Sequence, residues 1–370
     1  MKIVSKIVFA VSIFILMDPA IYGEPGGEFL VFHGASDASA AVAVNDDMFV
    51  VADDENNILR IYDINKAGSP VSSFDMTSFL DIEPNHPEAD IEGATKVGQR
   101  IYWITSHGRN KDGKLRPNRY RFFATDLLAD GKSIKLRPAG RPYKKLAQGL
   151  VKIPDARRLG LDKATQFGVE LKKKEKEKLA PKKEGLNIEG LCASPDGKTL
   201  YIGLRNPRPK DKLSGCAKAI VVPLLNPDRI IEHGEKPVFG ETMLWDLNGL
   251  GIRGMEYSFF QKTFFIIAGG PDGDEGFVLY RWSGKAESPP ELQRELNFGR
   301  SEFSPETLIP FEKSGRMLML SDDGILIVKV AGEWECMKGE YRKDGTTLNK
   351  YLINLAKKTF RGIWLKLESR

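Results

Sequence analysis

Five stretches of this 370-residue chain share one layout, and that repeat constrains the fold more than any other feature. They span 37–54, 92–108, 189–206, 256–270 and 306–323, and are led by Asp37, Glu92, Glu189, Glu256 and Glu306. Each runs from its acid through a small or apolar strand, turns at a pair such as Asn45-Asp46 or Asp196-Gly197, and enters a more strongly apolar strand. Each closes on a polar or glycine pair. The distances from acid to pair are 16, 14, 16, 14 and 16 residues, to within one. Two strands of about six residues joined by a tight turn bring the chain back beside its start, because antiparallel neighbours lie about 4.8 Å apart. The leading acid and the trailing pair therefore share one sheet edge.

Further strand-like runs come after each hairpin, at 58–62, 119–123, 219–222, 277–280 and 325–328, rich in the branched and aromatic residues that suit a pleated surface. A fourth run is legible at 71–74, 242–245 and 292–296. Four strands per unit, repeated, is the pattern of a propeller blade. The reading is an all-β fold, a β-propeller of five four-stranded blades. A sixth is left open, because 360–367 is a strand that the repeat does not place. The run 29–32 stands before the first acid as the fourth strands stand before later ones, and would complete the last blade.

Successive repeats start 55, 97, 67 and 50 residues apart. The long interval holds a Lys-rich insertion at about 143–184, expected to be helical or flexible. It reads as a solvated surface loop, with an electrostatic docking arm as the alternative. The net charge of +5 comes from this insertion and the leader: residues 172–184 hold seven Lys against three Glu, and the leader contributes one positive charge. With the remainder neutral, no basic face for nucleic acid is expected.

Residues 1–23 combine a charged start with an apolar run from Ile7 to Met17, about half the length of a membrane span, as an export signal does. The expectation is a periplasmic or secreted protein with one propeller domain over 24–370. It would be monomeric and free of stable membrane insertion after cleavage. Its three cysteines, Cys192, Cys216 and Cys336, are too few for a disulfide scaffold. Cys192 and Cys216 are expected to be buried free thiols, with one bridge between them as the alternative. The run 272–275 reads as a polar turn.

In a propeller the first strand of each blade lines the axis, so the five leading acids would meet around a funnel. Carboxylates converging there raise one another's pKa and need cations. Calcium suits such oxygen clusters, and protein cations could also serve, since Arg253 precedes Glu256 by three residues, Arg205 ends the third hairpin, and His107 and Arg109 end the second. The expected ligands are Asp37, Glu92, Glu189, Glu306 and Asp322. Each acid could instead tie neighbouring backbone amides together. His107, at a strand end on the mouth side, and Glu256 are the candidates for proton transfer. Arg109, Arg205, Arg253 and Asn206 would receive an anionic substrate, since the guanidinium fork fits phosphate oxygens.

The blocks Asp90-Ile-Glu-Gly-Ala-Thr95 with 102–110, Asn187-Ile-Glu-Gly-Leu191 with 204–207, and Gly251-Ile-Arg-Gly-Met-Glu-Tyr257 resemble an exported bacterial propeller family of unknown function. The likeness spans nearly the whole mature chain. More distantly, the recurring Ile-Glu-Gly is similar to that of phytase-like esterase and calcium-dependent lactonase propellers. That resemblance implies a metal at the axial mouth and hydrolysis of a phosphate ester or a lactone. The function expected is therefore a metal-dependent hydrolase of a small phosphate ester or other ester. The alternative is a non-catalytic propeller that binds a partner protein, peptide or glycan.

Overall fold

The computed structural model describes residues 28–130, 133–270, 276–298 and 303–366. The expected export signal (1–23) and the turn at 272–275 lie outside them. After β1 (Leu30–His33), the first blade comprises β2 (Ala40–Ala43), β3 (Met48–Ala52), β4 (Ile58–Asp63) and β5 (Ser72–Asp75). The second comprises β6 (Ile91–Val97), β7 (Arg100–Thr105), β8 (Phe122–Asp130) and β9 (Ser133–Tyr143). The insertion carries α1 (Leu146–Leu150), α2 (Leu161–Thr165) and α3 (Lys173–Lys178). Blade three comes next with β10 (Asn187–Ala193), β11 (Leu200–Asn206), β12 (Ala219–Leu224), a short α4 (Pro227–His233) and β13 (Met243–Trp245). Blade four is β14 (Gly251–Ser258), β15 (Thr263–Gly269), β16 (Phe277–Trp282) and β17 (Glu291–Leu296).

The fifth blade opens with β18 (Ser304–Pro310) and β19 (Met317–Asp322), then leaves the sheet for a two-stranded excursion, β20 (Ile327–Lys329) and β21 (Thr346–Leu348). It returns as β22 (Thr359–Leu365), which takes the third place, and β1 pairs with β22 to supply the outermost strand. The described part of the run at 360–367 thus belongs to blade five, and the propeller has five blades. The run 325–328, read as that blade's third strand, lies in the excursion instead. Likewise 119–123 is split between a tight helical turn (Pro117–Arg119) and the start of β8.

The innermost strands pack in order, β2 on β6, β6 on β10, β10 on β14, β14 on β18, and β18 back on β2. That closure explains the sequence of the second strands. They run apolar without alternation, as in Phe264-Phe-Ile-Ile-Ala268, because blades cover both of their faces. A β-bulge interrupts four of the five innermost strands at equivalent places, between Ile91 and Gly93, Ile188 and Gly190, Ile252 and Gly254, and Pro305 and Thr307. A bulge re-aims the extra residue out of the ladder. Here those residues are Glu92, Glu189, Arg253 and Glu306. The glycine after Arg253 is needed for close approach: a Cβ on Gly254 would stand 2.3 Å from the Glu306 carbonyl oxygen. Gly254→Ala is expected to cost at least about 2 kcal/mol by forcing β14 and β18 apart, measurable by urea unfolding.

The insertion is helical and packed, not a solvated loop. Leu146, Leu150, Leu159 and Leu161 are fully buried in the core between blades two and three. Only α3 buries none of its own residues. It is seated through backbone contact, since a Cβ on Gly113 would lie 1.6 Å from the Lys176 carbonyl oxygen.

Candidate functional site at the axial mouth

One end of the axis opens into a cavity of about 570 Å³ whose lining includes Asp37, Glu92, Glu189, Arg253, Glu306 and Asp322. The bulges deliver four of these side chains. The other two come from the ends of neighbouring strands, where Asp37 and Asp322 form an isolated bridge. Five of the expected site acids, four of them leading acids of the repeats, therefore do converge.

Glu256 does not. It lies two positions beyond the Ile-x-Gly step, beside a small cavity of about 40 Å³ shared with Lys96, Tyr257 and Phe259. Its carboxylate accepts from the Tyr257 amide at 3.0 Å and is pushed up to about 8 by burial. Aligning the repeats on Ile-x-Gly instead of on the acid places Arg253 in the ring, and the block 251–257 already carried that signal.

The ring divides into two electrostatic halves. In the compensated half, Glu189 receives Arg205 Nη1 at 2.7 Å, Arg253 Nη1 at 3.0 Å and Asn187 Nδ2 at 2.6 Å. Arg253 also pairs with Glu306 through Nη2. All four charged groups are buried. Burial lifts Glu189 to about 7, against the pull of Arg205. Arg205 and Arg253, expected to receive substrate, are thus engaged with protein carboxylates, and Glu189 and Glu306 already hold cations.

In the other half, oxygens of Asp54, Asp90 and Glu92 lie within 4.8 Å of one another. Asp37 stands beside them, 7% exposed, and its buried Oδ1 has no hydrogen-bond partner. Burial raises the pKa of Asp37, Asp54 and Glu92 well above the usual carboxylate range, and repulsion from neighbouring carboxylates, chiefly Asp322, Glu55 and Asp90 respectively, adds to it. Asp90 is raised to about 6 by burial although Arg119 Nη1 sits 3.0 Å from it and the Ser106 hydroxyl donates to the same oxygen. Nearby, Lys350 Nζ holds Glu55 at 2.8 Å. Asp54 belongs to the trailing pair of the first repeat, so the hairpin geometry could have found it. Nothing in the repeat pointed to Lys350, which arrives on the excursion.

A family model matches residues 37–132 and 158–317. The chain belongs to the family described as "Protein of unknown function (DUF3616)". The family's match skips part of the insertion and stops before the excursion. None of the curated proteins matches the chain. Similar solved structures are distant. Glutaminyl cyclase of Myxococcus xanthus is 12% identical, with a TM-score of 0.39 over 78% of this chain and 88% of that one. A protein of unknown function from Bacteroides thetaiotaomicron is 8% identical, with a TM-score of 0.39 over 91% and 75%. An engineered GH43 glycoside hydrolase is 11% identical, with a TM-score of 0.43 over 80% and 48%.

The remaining expected residues stand behind the mouth. His107 is fully buried, with Nδ1 2.8 Å from the Thr105 carbonyl oxygen and its ring edge-on to Tyr120. Burial holds its pKa down to about 4, so it is neutral at physiological pH and outside the cavity lining. Arg109 donates to the carbonyls of Gly113 and Thr165, at 3.2 and 2.9 Å, and so ties the insertion to the second blade. Asn206 donates to the Pro181 carbonyl at 2.7 Å and serves the same seam. Neither lines the cavity. Among the cysteines, Cys192 is buried as expected, whereas Cys216 is exposed.

Proposed function

We propose that the acidic half of the mouth holds a calcium ion and that the protein hydrolyses a phosphate ester or other ester there. The observation that carries this reading is the convergence of Asp54, Asp90 and Glu92 beside the unpartnered Asp37. Oxygens sharing one calcium ion at about 2.4 Å lie no more than about 4.8 Å apart, so the three carboxylates fit that ion. Calcium supplies charge to polarise an ester oxygen.

The chain's own residues divide the remaining work. Arg116, Lys111, Lys182 and Lys183 line the rim and would draw in an anionic substrate. His107 has no part in this reading, because its ring is sealed from the cavity. The arginines of the other half keep that side of the ring neutral, which confines the cation to one place.

The test starts from chelated protein. Adding calcium is expected to raise the Tm by roughly 4 °C at 100 times its Kd, from the linkage relation and the usual unfolding entropy per residue. Asp54→Asn and Glu92→Gln should each remove that shift. Turnover of a generic phosphate monoester or acetate ester should stop on chelation and return with calcium. An unchanged Tm sinks the metal reading. A shift without turnover of either ester leaves a calcium-dependent binding module in its place.

A further inference from the structure

Two surface features flank the mouth, an apolar excursion and a basic helix, and neither helix α3 nor the excursion's apolar side chains have a part in calcium binding or ester hydrolysis. On one side, the excursion of blade five exposes large apolar side chains: Ile325 (63%), Ile327 (62%), Trp334 (75%) and Ile353 (57%). Ile325 lines the mouth itself, as do Lys350 and Tyr351. Backbone pairing joins the segments that carry them. The Lys350 amide donates to the Gly324 carbonyl, the Met337 amide to that of Tyr351, and the Ile353 amide to that of Glu335. The excursion that carries these side chains is therefore continuous with the rim.

On the other side stands α3, with Lys174, Lys176 and Lys178 exposed and in no salt bridge among the described residues. Lys182 and Lys183, just beyond it, line the mouth. The fold gathers these like charges instead of dispersing them: Gly113 seats the helix, and Arg109 and Asn206 clamp the segments around it.

We propose that the mouth face docks on an anionic lipid surface. An aqueous anion would account for the lysines but would leave Trp334 and the three isoleucines in water. An apolar protein partner would account for these and leave the lysines without a counter-charge. A bilayer interface takes both, since Trp sits at the headgroup level and lysines are attracted by acidic headgroups. Docking itself does not require the hydrolase reading. Only its consequence for substrate rests on that reading: an ester presented in a headgroup would meet the mouth directly.

The experiment is flotation of the full chain with vesicles of phosphatidylglycerol and phosphatidylcholine, against pure phosphatidylcholine. Binding is expected only to the anionic vesicles and should be lost at high salt. The triple substitution Lys174→Glu, Lys176→Glu, Lys178→Glu should weaken it about 100-fold or more, from the attraction each basic residue feels near such a surface. Ile325→Ser with Ile327→Ser should weaken it at least tenfold, while Phe259→Ser with Phe260→Ser, at the far end of the axis, should leave it unchanged. In the unaltered protein, brominated lipid should quench tryptophan fluorescence, and Trp334→Phe should abolish the quenching. The proposal is overturned by binding to soluble polyphosphate without binding to vesicles, by equal binding to neutral and anionic vesicles, or by quenching that survives Trp334→Phe. Vesicle binding without any calcium shift would uphold docking and remove the hydrolase reading. A calcium shift without vesicle binding would do the reverse.

Discussion

Replacing Arg253 by Ala is expected to cost about 3–5 kcal/mol, the penalty typical of breaking a buried ion pair from one side. Arg253 is 6% exposed and bridges Glu189 to Glu306 across two blades. Its removal deprives Glu306 of its cation at a buried position, while Glu189 keeps Arg205 and Asn187. The cost should therefore fall on Glu306, and Arg253→Ala combined with Glu306→Gln should recover much of it. Urea unfolding of the two single variants and the double variant measures the coupling. Equal losses in Arg253→Ala and the double variant would show that Arg253 matters through packing alone. Charge adds a second effect. The vacated half would hold two carboxylates facing one another, so calcium should stabilise Arg253→Ala more than it stabilises the unaltered chain.

Arg253 also marks the boundary of what the sequence disclosed. The hairpin spacing carried the five blades and the convergence of Glu92, Glu189 and Glu306, because strand length and turn position fix which end of a hairpin faces the axis. Choosing Glu256 for blade four followed the acid when the bulge was the feature that repeats. A shift of three residues moved that side chain to the far end of the axis. His107 failed for a different reason. Its position at a strand end was read correctly, but a left-handed backbone there (φ of 51°) accompanies a ring that points into protein. Spacing does not report side-chain direction at such a point. Arg109 and Asn206 were drawn to the mouth by their charge and polarity. Their actual partners, the carbonyls of an insertion that no repeat describes, were invisible to a periodicity argument. The excursion that brings Lys350 and Ile325 to the rim was equally hidden, since it interrupts blade five after only two strands.

Above about pH 6.5, where His107 is neutral in both states, the calcium-free protein is expected to lose stability as the pH rises towards 8, the value to which Glu256 is lifted. Asp37, Asp54 and Glu92 have pKa values well above those of an unfolded chain, so the native state holds protons that the unfolded state has released. Unfolding then releases protons, and stability falls as pH rises. Below this window two effects oppose one another. Asp90, at about 6 when folded, loses stabilisation as pH climbs towards that value, on the order of 3 kcal/mol in all. His107, held down to about 4, gains it between about 4 and 6.5, because the unfolded chain binds the proton that the buried ring refuses. Above pH 7 His107 is neutral in both states, and the raised carboxylates decide the slope. Glu256 adds to it with a pKa of about 8, at the end of the axis remote from the cluster. Calcium should flatten the decline by replacing the protons on the acidic half, and its stabilisation should accordingly be larger at pH 8 than at pH 7. Glu256→Gln should remove a part of the slope that calcium leaves untouched. Thermal melts at four pH values, with and without calcium, separate these contributions. A calcium-free protein whose Tm is level or rising up to pH 8 would mean that neither Glu256 nor the mouth carboxylates take up protons on folding.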